Sequence, residues 1–368
     1  KGAFAMQIED IYVIYGKKPK SMVKELLEKS DIISEIPQGA MIGLKPNLVV
    51  SKGAETGATT SPEIVEAIIE YLQEHGYDKI TIMESSWVGD DTSRAFRVCG
   101  YEDISRKYHV PLKDLKRDSS TVHKAGGLGI EYCDTPYHVD YLINLPVLKG
   151  HCQTGMTCAL KNMKGCITDR EKRKFHTMGL HKPIACLNKV RCADLVLVDG
   201  LRGDLDFEEG GNPVEMNRIL LAKDSVLVDA YVAQLMGYEI SEIPYIAMAA
   251  ELGVGSMEVE KAHIVELNTD HTGAKLTSSR RARALAKYID ENDACSACYG
   301  SLIHALARME DRGMLRNIQG KIHIGQGFRG QQPGGIGVGV CAKGCDKCVI
   351  GCPPKAIDIV KMLEDQFI

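Results

Sequence analysis

The chain has 368 residues, 44% hydrophobic and 26% charged, with a formal net charge of −4, which is the profile of a folded protein of two or three domains and excludes a disordered tail. No apolar run approaches the roughly 18 to 20 residues that cross a bilayer, and KGAFAMQIEDIYV lacks a secretory h-region, so a cytoplasmic protein is expected, with residues 1–5 set aside as an expression scar before a native start at Met6. Thirteen cysteines in a reducing compartment point to metal or catalysis rather than to disulfides.

In chain order, MIGLKPNLVV reads as a strand, and GATTSPEIVEAIIEYLQEHGYD carries a helical apolar stripe at Ile64, Val65, Ile68, Ile69 and Leu72. Ser61 before Pro62 marks the start of that helix and Gly76 its end. DKITIMES is the next strand, completing a βαβ unit. VDYLINLPVLK, ADLVLVDGL and KAHIVELN follow as apolar strands, and DSVLVDAYVAQLMGY is a helix opening at Asp224 and closing near Gly237. The fold class expected over residues 6–275 is therefore α/β, a layered, mostly parallel sheet flanked by helices.

Beyond that point the texture changes. SSRRARALAKYID and ACSACYGSLIHALARMEDRG read as helical, KIHIGQG as a short strand, GFRGQQPGGIGVG as a glycine-rich loop, and PPKAIDIVKMLEDQF as a closing helix. Residues 276–368 are expected to form a small iron–sulfur domain. Gly325-x-Gly327-x-x-Gly330 has the spelling of a dinucleotide fingerprint, but no helix can open on GQQPGG to receive a pyrophosphate. These glycines read instead as backbone approaching a cluster.

Two cysteine groups carry that expectation: Cys295-x2-Cys298, and Cys341-x3-Cys345-x2-Cys348-x3-Cys352-Pro353. Thiolates at such spacings can converge on one iron–sulfur cube, and the end of the run is like the close of a bacterial ferredoxin motif, although its first gap is three residues rather than two. The competing readings are a Cys₄ zinc site and inert thiols. Six cysteines exceed the four of one cube and fall short of eight, so one [4Fe–4S] cluster is expected and two are allowed.

The segment from residue 145 to 192 holds ten Lys or Arg against Asp169 and Glu171, a local balance of +8. Such a concentration can line a cleft for a small anion, while REKRK (170–174) also reads as a solvated helical face. Lys149 and His151 follow a strand, at the edge where α/β sheets place ligands; Lys161, Asn162 and His176 come after them, and Lys45 and Asn47 end another strand on the same edge. Lys149, His151, Lys161 and His176 are the candidate proton-transfer and catalytic groups. Asp199, ending ADLVLVDG, either joins the pocket or caps a turn. Cys152, Cys158 and Cys166 read as buried small apolar groups.

KPNLV, GATTSPEIVEAIIEYLQEHG, Glu84-Ser85, LPVLKGH, ALKNMKG, and Arg170 with His176 before ADLVLVDG together resemble the DUF362 family, from about residue 45 to 245. CSACYGSL and GCPP resemble the cluster-binding extension of some members. The resemblance implies a ligand set of Cys295, Cys298, Cys341 and Cys352, with Cys345 and Cys348 as substitutes that depart from the family pattern, adds Arg170 to the substrate-binding residues, and implies an oxygen-sensitive cytoplasmic protein of anaerobes. It implies no reaction. The expected function is a [4Fe–4S]-dependent oxidoreductase acting on, or relaying electrons to, a small anionic substrate, with an electron donor or acceptor protein as partner and neither nucleic acid nor membrane. The alternatives are a non-redox iron–sulfur or metal-dependent lyase or isomerase, and an electron-transfer or binding module with a structural cluster.

Overall fold

A computed structural model describes residues 5–273, 276 and 280–365. The expected boundary at 275/276 and the ends of several expected segments (residues 1–4, 278–279 and 366–367) lie at or outside the described residues.

The main sheet has eight strands in the spatial order His263–Glu266, Asp10–Tyr15, Pro213–Ala222, Leu195–Asp204, Tyr141–Leu145, Ile42–Pro46, Ile80–Glu84 and Leu112–Asp114. Five of the seven pairings are parallel; both antiparallel ones involve Pro213–Ala222. That strand returns from Leu195–Asp204 through a short loop, which forces an antiparallel hairpin where a crossover would have given a parallel pair. Successive side chains enter opposite layers: Leu195 and Leu197 join one core, Val196 and Val198 the other. Helices Pro19–Ser30, Pro62–Glu74 and Tyr101–Tyr108 cover the first face; Ala159–Asn162, His181–Val190, Ser225–Leu235 and Pro244–Glu251 cover the second.

The adjacent strands Ile42–Pro46 and Tyr141–Leu145 run parallel with Pro46 opposite Leu145. The chain leaves the first over one face toward Ile80–Glu84 and the second over the other face toward Leu195–Asp204. Their carboxyl ends therefore diverge around a crevice, the place where such sheets bind ligands.

Local signals act as expected with one change. Pro62 opens its helix and Asp224 caps Ser225–Leu235 through Val226 and Leu227 N–H at 2.8 and 3.0 Å. Ser61 makes no side-chain cap; its N–H donates to Asp199 Oδ2 at 2.8 Å instead.

A second, four-stranded parallel sheet, Ile289–Glu291, Ile322–Ile324, Ile336–Val338 and Lys347–Val349, packs with helices Ser296–Asp311 and Ala356–Glu364 around a separate core that also receives Phe207. Gly325 is followed by a short 3-10 turn rather than an α-helix, so the dinucleotide reading fails as expected. Its φ is +126°, and a Cβ there would lie 1.8 Å from the Asn292 carbonyl oxygen; the glycine is required by close backbone packing. The two parts touch at Gly89, where a Cβ would come within 2.7 Å of Pro353 Cδ and 2.9 Å of the Cys352 carbonyl oxygen.

Candidate functional site

The crevice is walled by Asn47, Val49, Glu84, Ser85, Trp87, Val88, Thr157, Lys161, Asn162, Lys164, Gly165, Lys172, His176, Glu208 and the segment 295–297. Its volume of about 70 Å³ admits a few waters or one small molecule.

Lys45 and Glu84, from neighbouring strands, form its floor as an ion pair at 2.7 Å, exposed by 0% and 3%. Lys45 Nζ also donates to the Pro46 carbonyl at 2.6 Å and to Asn162 Oδ1 at 3.4 Å, and Glu84 accepts from Leu48 and Ser85 N–H. Asn162 in turn donates to Asn144 Oδ1 at 2.7 Å. Asn162 sits on the short helix Ala159–Asn162, whose first amides are held by buried Asp229 at 2.7 and 3.1 Å. Gly165 lies against the floor, since a Cβ there would fall 1.9 Å from Glu84 Oε1 and 2.7 Å from Lys45 Nζ.

One wall comes from helix Asp169–Thr177, capped by Thr168. Lys172 and His176, four residues apart, share the face turned to the crevice. Lys172 Nζ donates to the Ser85 and Ser86 carbonyls at 2.9 and 2.7 Å and to Ser85 Oγ, and burial pushes its pKa down to about 8. Burial, then neighbouring Lys164, holds His176 well below the ordinary histidine range; its Nε2 lies 3.5 Å from Lys164 Nζ, and its buried Nδ1 has no hydrogen-bond partner among the described residues.

The opposite wall is Glu208, on the hairpin loop that Asp204 closes by accepting from Asp206, Phe207 and Asn212 N–H. Glu208 pairs with Lys161 and lies 3.0 Å from His151 Nε2. Burial would raise its carboxyl, but Lys161 and His151 hold it well below the ordinary range. His151 Nδ1 accepts from Gln153 and Thr154 N–H at 3.1 and 3.0 Å, so its proton sits on Nε2, facing Glu208. Burial pushes His151 down to about 4, which keeps the ring neutral.

The structure thus brings Asn47, Lys161, Asn162 and His176 to the cavity and places Lys45 directly beneath it. Lys149 and His151 stand behind the wall: Lys149 Nζ donates to Asn47 Oδ1 at 3.2 Å, to the Glu208 carbonyl at 2.9 Å and to the Ala58 carbonyl, tying three loops together. Asp199 caps, accepting from Ser61 and from Leu201 N–H at 3.0 Å. Arg170 points to solvent, 80% exposed, and pairs with Glu131 at 2.7 Å, because it lies two residues before Lys172 on the helix and so on another face. The sequence reading missed Glu208, Lys164, Lys172 and Trp87. Glu208 had a usable signal, since it follows a strand whose carboxyl end was already assigned to the site.

Cys295, Cys298, Cys341 and Cys352 line one concave site together with Arg173, Arg329 and the backbones of Gly325, Gly339 and Gly351. Arg329 Nε donates to Cys341 Sγ at 3.3 Å. Burial raises the Cys295 and Cys298 thiols, and the other thiols of the set raise them further. Cys345 is buried beside Gly337, and Cys348 Sγ donates to the Gly339 carbonyl at 3.4 Å; neither lines the site. Cys295 belongs to both the cysteine site and the crevice. Among the described residues no group of three or more His, Cys, Asp or Glu is arranged to hold a single metal ion. Cys158 and Cys166 are buried, as expected, and Cys152 is partly buried against the third core. No helix among the described residues is long and apolar enough to cross a membrane.

A thylakoid-associated protein of Synechocystis sp. is 24% identical over 236 residues, covering 61% of this chain and 72% of its own. The lactate racemase apoprotein of Thermoanaerobacterium thermosaccharolyticum aligns in structure with TM-score 0.43 and 11% identity, over 65% of this chain and 60% of its own. A Thermotoga maritima protein aligns with TM-score 0.38 and 13% identity, over 67% of this chain and 61% of its own. The model of the DUF362 family, a domain of unknown function, matches residues 42–234, more than half of the 368 residues, and the chain belongs to that family.

Proposed function

We propose that the chain is an iron–sulfur oxidoreductase acting on a small anionic substrate in the strand-end crevice, with one [4Fe–4S] cluster held by Cys295, Cys298, Cys341 and Cys352. The observation that carries the reading is that Cys295 lines the crevice with Lys161 and also the cysteine site, so a cluster there would abut the substrate. The donor set fits: four soft thiols, glycine backbones that allow close approach, and a guanidinium beside Cys341 to offset thiolate charge. Tetrahedral zinc needs four ligand atoms each about 2.3 Å from one point; a cube, being a larger body, suits thiols spread around a cavity.

A bound cluster would supply single electrons. The chain's own groups would hold the anion by the cations at Lys161 and Lys172, exclude water with Trp87 and Val88, and move a proton at His176. An electron-carrier protein would approach on the far side, where Cys352, Val340 and Ile350 are exposed. The Lewis-acid alternative is less well supported, because the residue shared by the crevice and the cysteine site is Cys295, whose thiol would itself be a ligand to a bound cluster.

The test is iron and sulfide analysis with EPR on anaerobically purified protein, before and after dithionite. About four irons per chain and a reducible signal, lost in Cys295→Ala and kept in Cys348→Ala, are expected. Zinc without iron would sink the redox reading.

A further inference from the structure

Five lysines stand in or beside the crevice, and four have their ammonium groups accounted for. Lys45 is paired with Glu84, Lys161 with Glu208, Lys149 with one side-chain and two backbone oxygens, and Lys172 with three oxygens of Ser85 and Ser86. Lys164 differs. It lines the crevice, partly buried, and among the described residues its ammonium group has one hydrogen-bond partner, His176 Nε2 at 3.5 Å.

A full positive charge at Lys164 is opposed by burial and by the ammonium of Lys161, which together push the amine down to about 7. Near neutrality part of it is therefore unprotonated, on a side chain that lines the cavity. His176 Nε2 stands 3.5 Å from Lys164 Nζ, within reach for proton exchange, and its buried Nδ1 has no hydrogen-bond partner among the described residues. An amine with no ion pair among the described residues, beside an imidazole with an unpartnered nitrogen, in a cavity with flanking cations and one aromatic wall, has the makings of a carbonyl-trapping site.

We propose that Lys164 is an imine-forming nucleophile, its Nζ attacking the carbonyl carbon of a small 2-oxo carboxylate seated in the crevice. The carboxylate is drawn by Lys161 and Lys172, and the short body of the substrate lies against Trp87. As the N–C bond forms, the carbonyl π pair moves to oxygen, which takes one amine proton by way of His176 to give a carbinolamine. That oxygen then leaves as water with the second amine proton, and the nitrogen lone pair closes the C=N bond. One amine and one carbonyl become one imine and one water, with no change in oxidation level. The inference rests on reading the crevice as an anionic-substrate site.

The experiment incubates the full chain with pyruvate and cyanoborohydride at pH 7, followed by intact mass and peptide mapping, with iron content measured on the same sample. One reduced adduct per chain at Lys164 is expected. Lys164→Arg, which keeps a cation, should lose at least about tenfold of the labelling, and acetone, the carbonyl without the carboxylate, should label far more slowly than pyruvate. Trp87, the single tryptophan of the chain, reports binding separately by its fluorescence. Saturable quenching by pyruvate without an adduct, or equal labelling of Lys164→Arg, overturns the imine while leaving the anionic crevice standing. Neither quenching nor adduct overturns both, whatever the iron content.

Discussion

The crevice and the cysteine site share Cys295 but are built on opposite principles. In the crevice, Lys45 answers Glu84, Lys161 and His151 answer Glu208, and Lys172 is saturated by the Ser85–Ser86 segment. Most of its polar groups meet their electrostatic needs inside the protein, so its shape does not wait for a ligand. Among the described residues the four cysteines carry one side-chain hydrogen bond, from Arg329, and Cys341 and Cys352 add to the resistance of Cys295 and Cys298 to ionising. Burying several thiolates together is favourable only when a cation enters with them. One region is organised by its own charges; the other is organised for a guest.

The sharpest way to break this contrast is to remove a charge from the crevice floor. Glu84→Gln leaves Lys45 buried without its counter-ion, and loss of one member of such a pair costs about 3–5 kcal/mol, read as a fall in the urea midpoint. Cys341→Ser in iron-free protein should change the same midpoint by less than about 1 kcal/mol. Comparable losses from both would mean that the cysteine site is as self-sufficient as the crevice.

The second effect is a pH dependence. His151 is held down to about 4 in the folded chain against about 6.5 when unfolded. Below pH 6.5 the unfolded chain takes up a proton that the folded chain refuses, so this group's contribution is full above 6.5 and is lost progressively toward pH 4, by roughly 3 kcal/mol. His176 is shifted in the same direction and adds to the same slope. Glu208, held below the ordinary carboxylate range, contributes stability above about 4.3 that is lost only as pH falls through its lower folded value. His151→Gln should therefore flatten, without abolishing, the slope between pH 6.5 and 4.5 in urea melts.

How much of this was legible follows from where each residue stands. Lys45 and Asn47 could be assigned from sequence because strand periodicity marks carboxyl ends, and sheets bind ligands there; Lys161 and Asn162 stand on the short helix that follows another such end. The role of Lys149 and His151 could not, since the same position serves a residue that faces the ligand and one that braces the wall. Lys172 was hidden inside REKRK, where five consecutive charged residues mask the helical face that turns one of them inward. Glu208 sits on a hairpin loop whose antiparallel return strand was not anticipated. The convergence of Cys295 and Cys298 with Cys341 and Cys352 was an expectation of the family resemblance, and the exclusion of Cys345 and Cys348 from the concave site depends on tertiary packing.

Gly165 tests how tightly the floor is fitted. Gly165→Ala would thrust a methyl group onto Glu84 Oε1 and Lys45, and relieving such a clash costs about 1–3 kcal/mol. The same change should weaken pyruvate quenching of Trp87, because Gly165 and Trp87 line one cavity.

The smallest effect belongs to Arg170. Its pair with Glu131 has good geometry, with Nε and Nη2 both reaching Oε2 at 3.1 and 2.7 Å, yet the guanidinium is 80% exposed and solvent screens the attraction. Arg170→Ala should leave the urea midpoint nearly unchanged and leave quenching and labelling unchanged, whereas Lys172→Met on the same helix should weaken both. The two residues differ by about half a helical turn, and that rotation separates a surface charge from a wall of the site. Loss of labelling in Arg170→Ala would show that the helix turns its other face to the substrate, and the assignment of Lys172 and His176 to the crevice would fall with it.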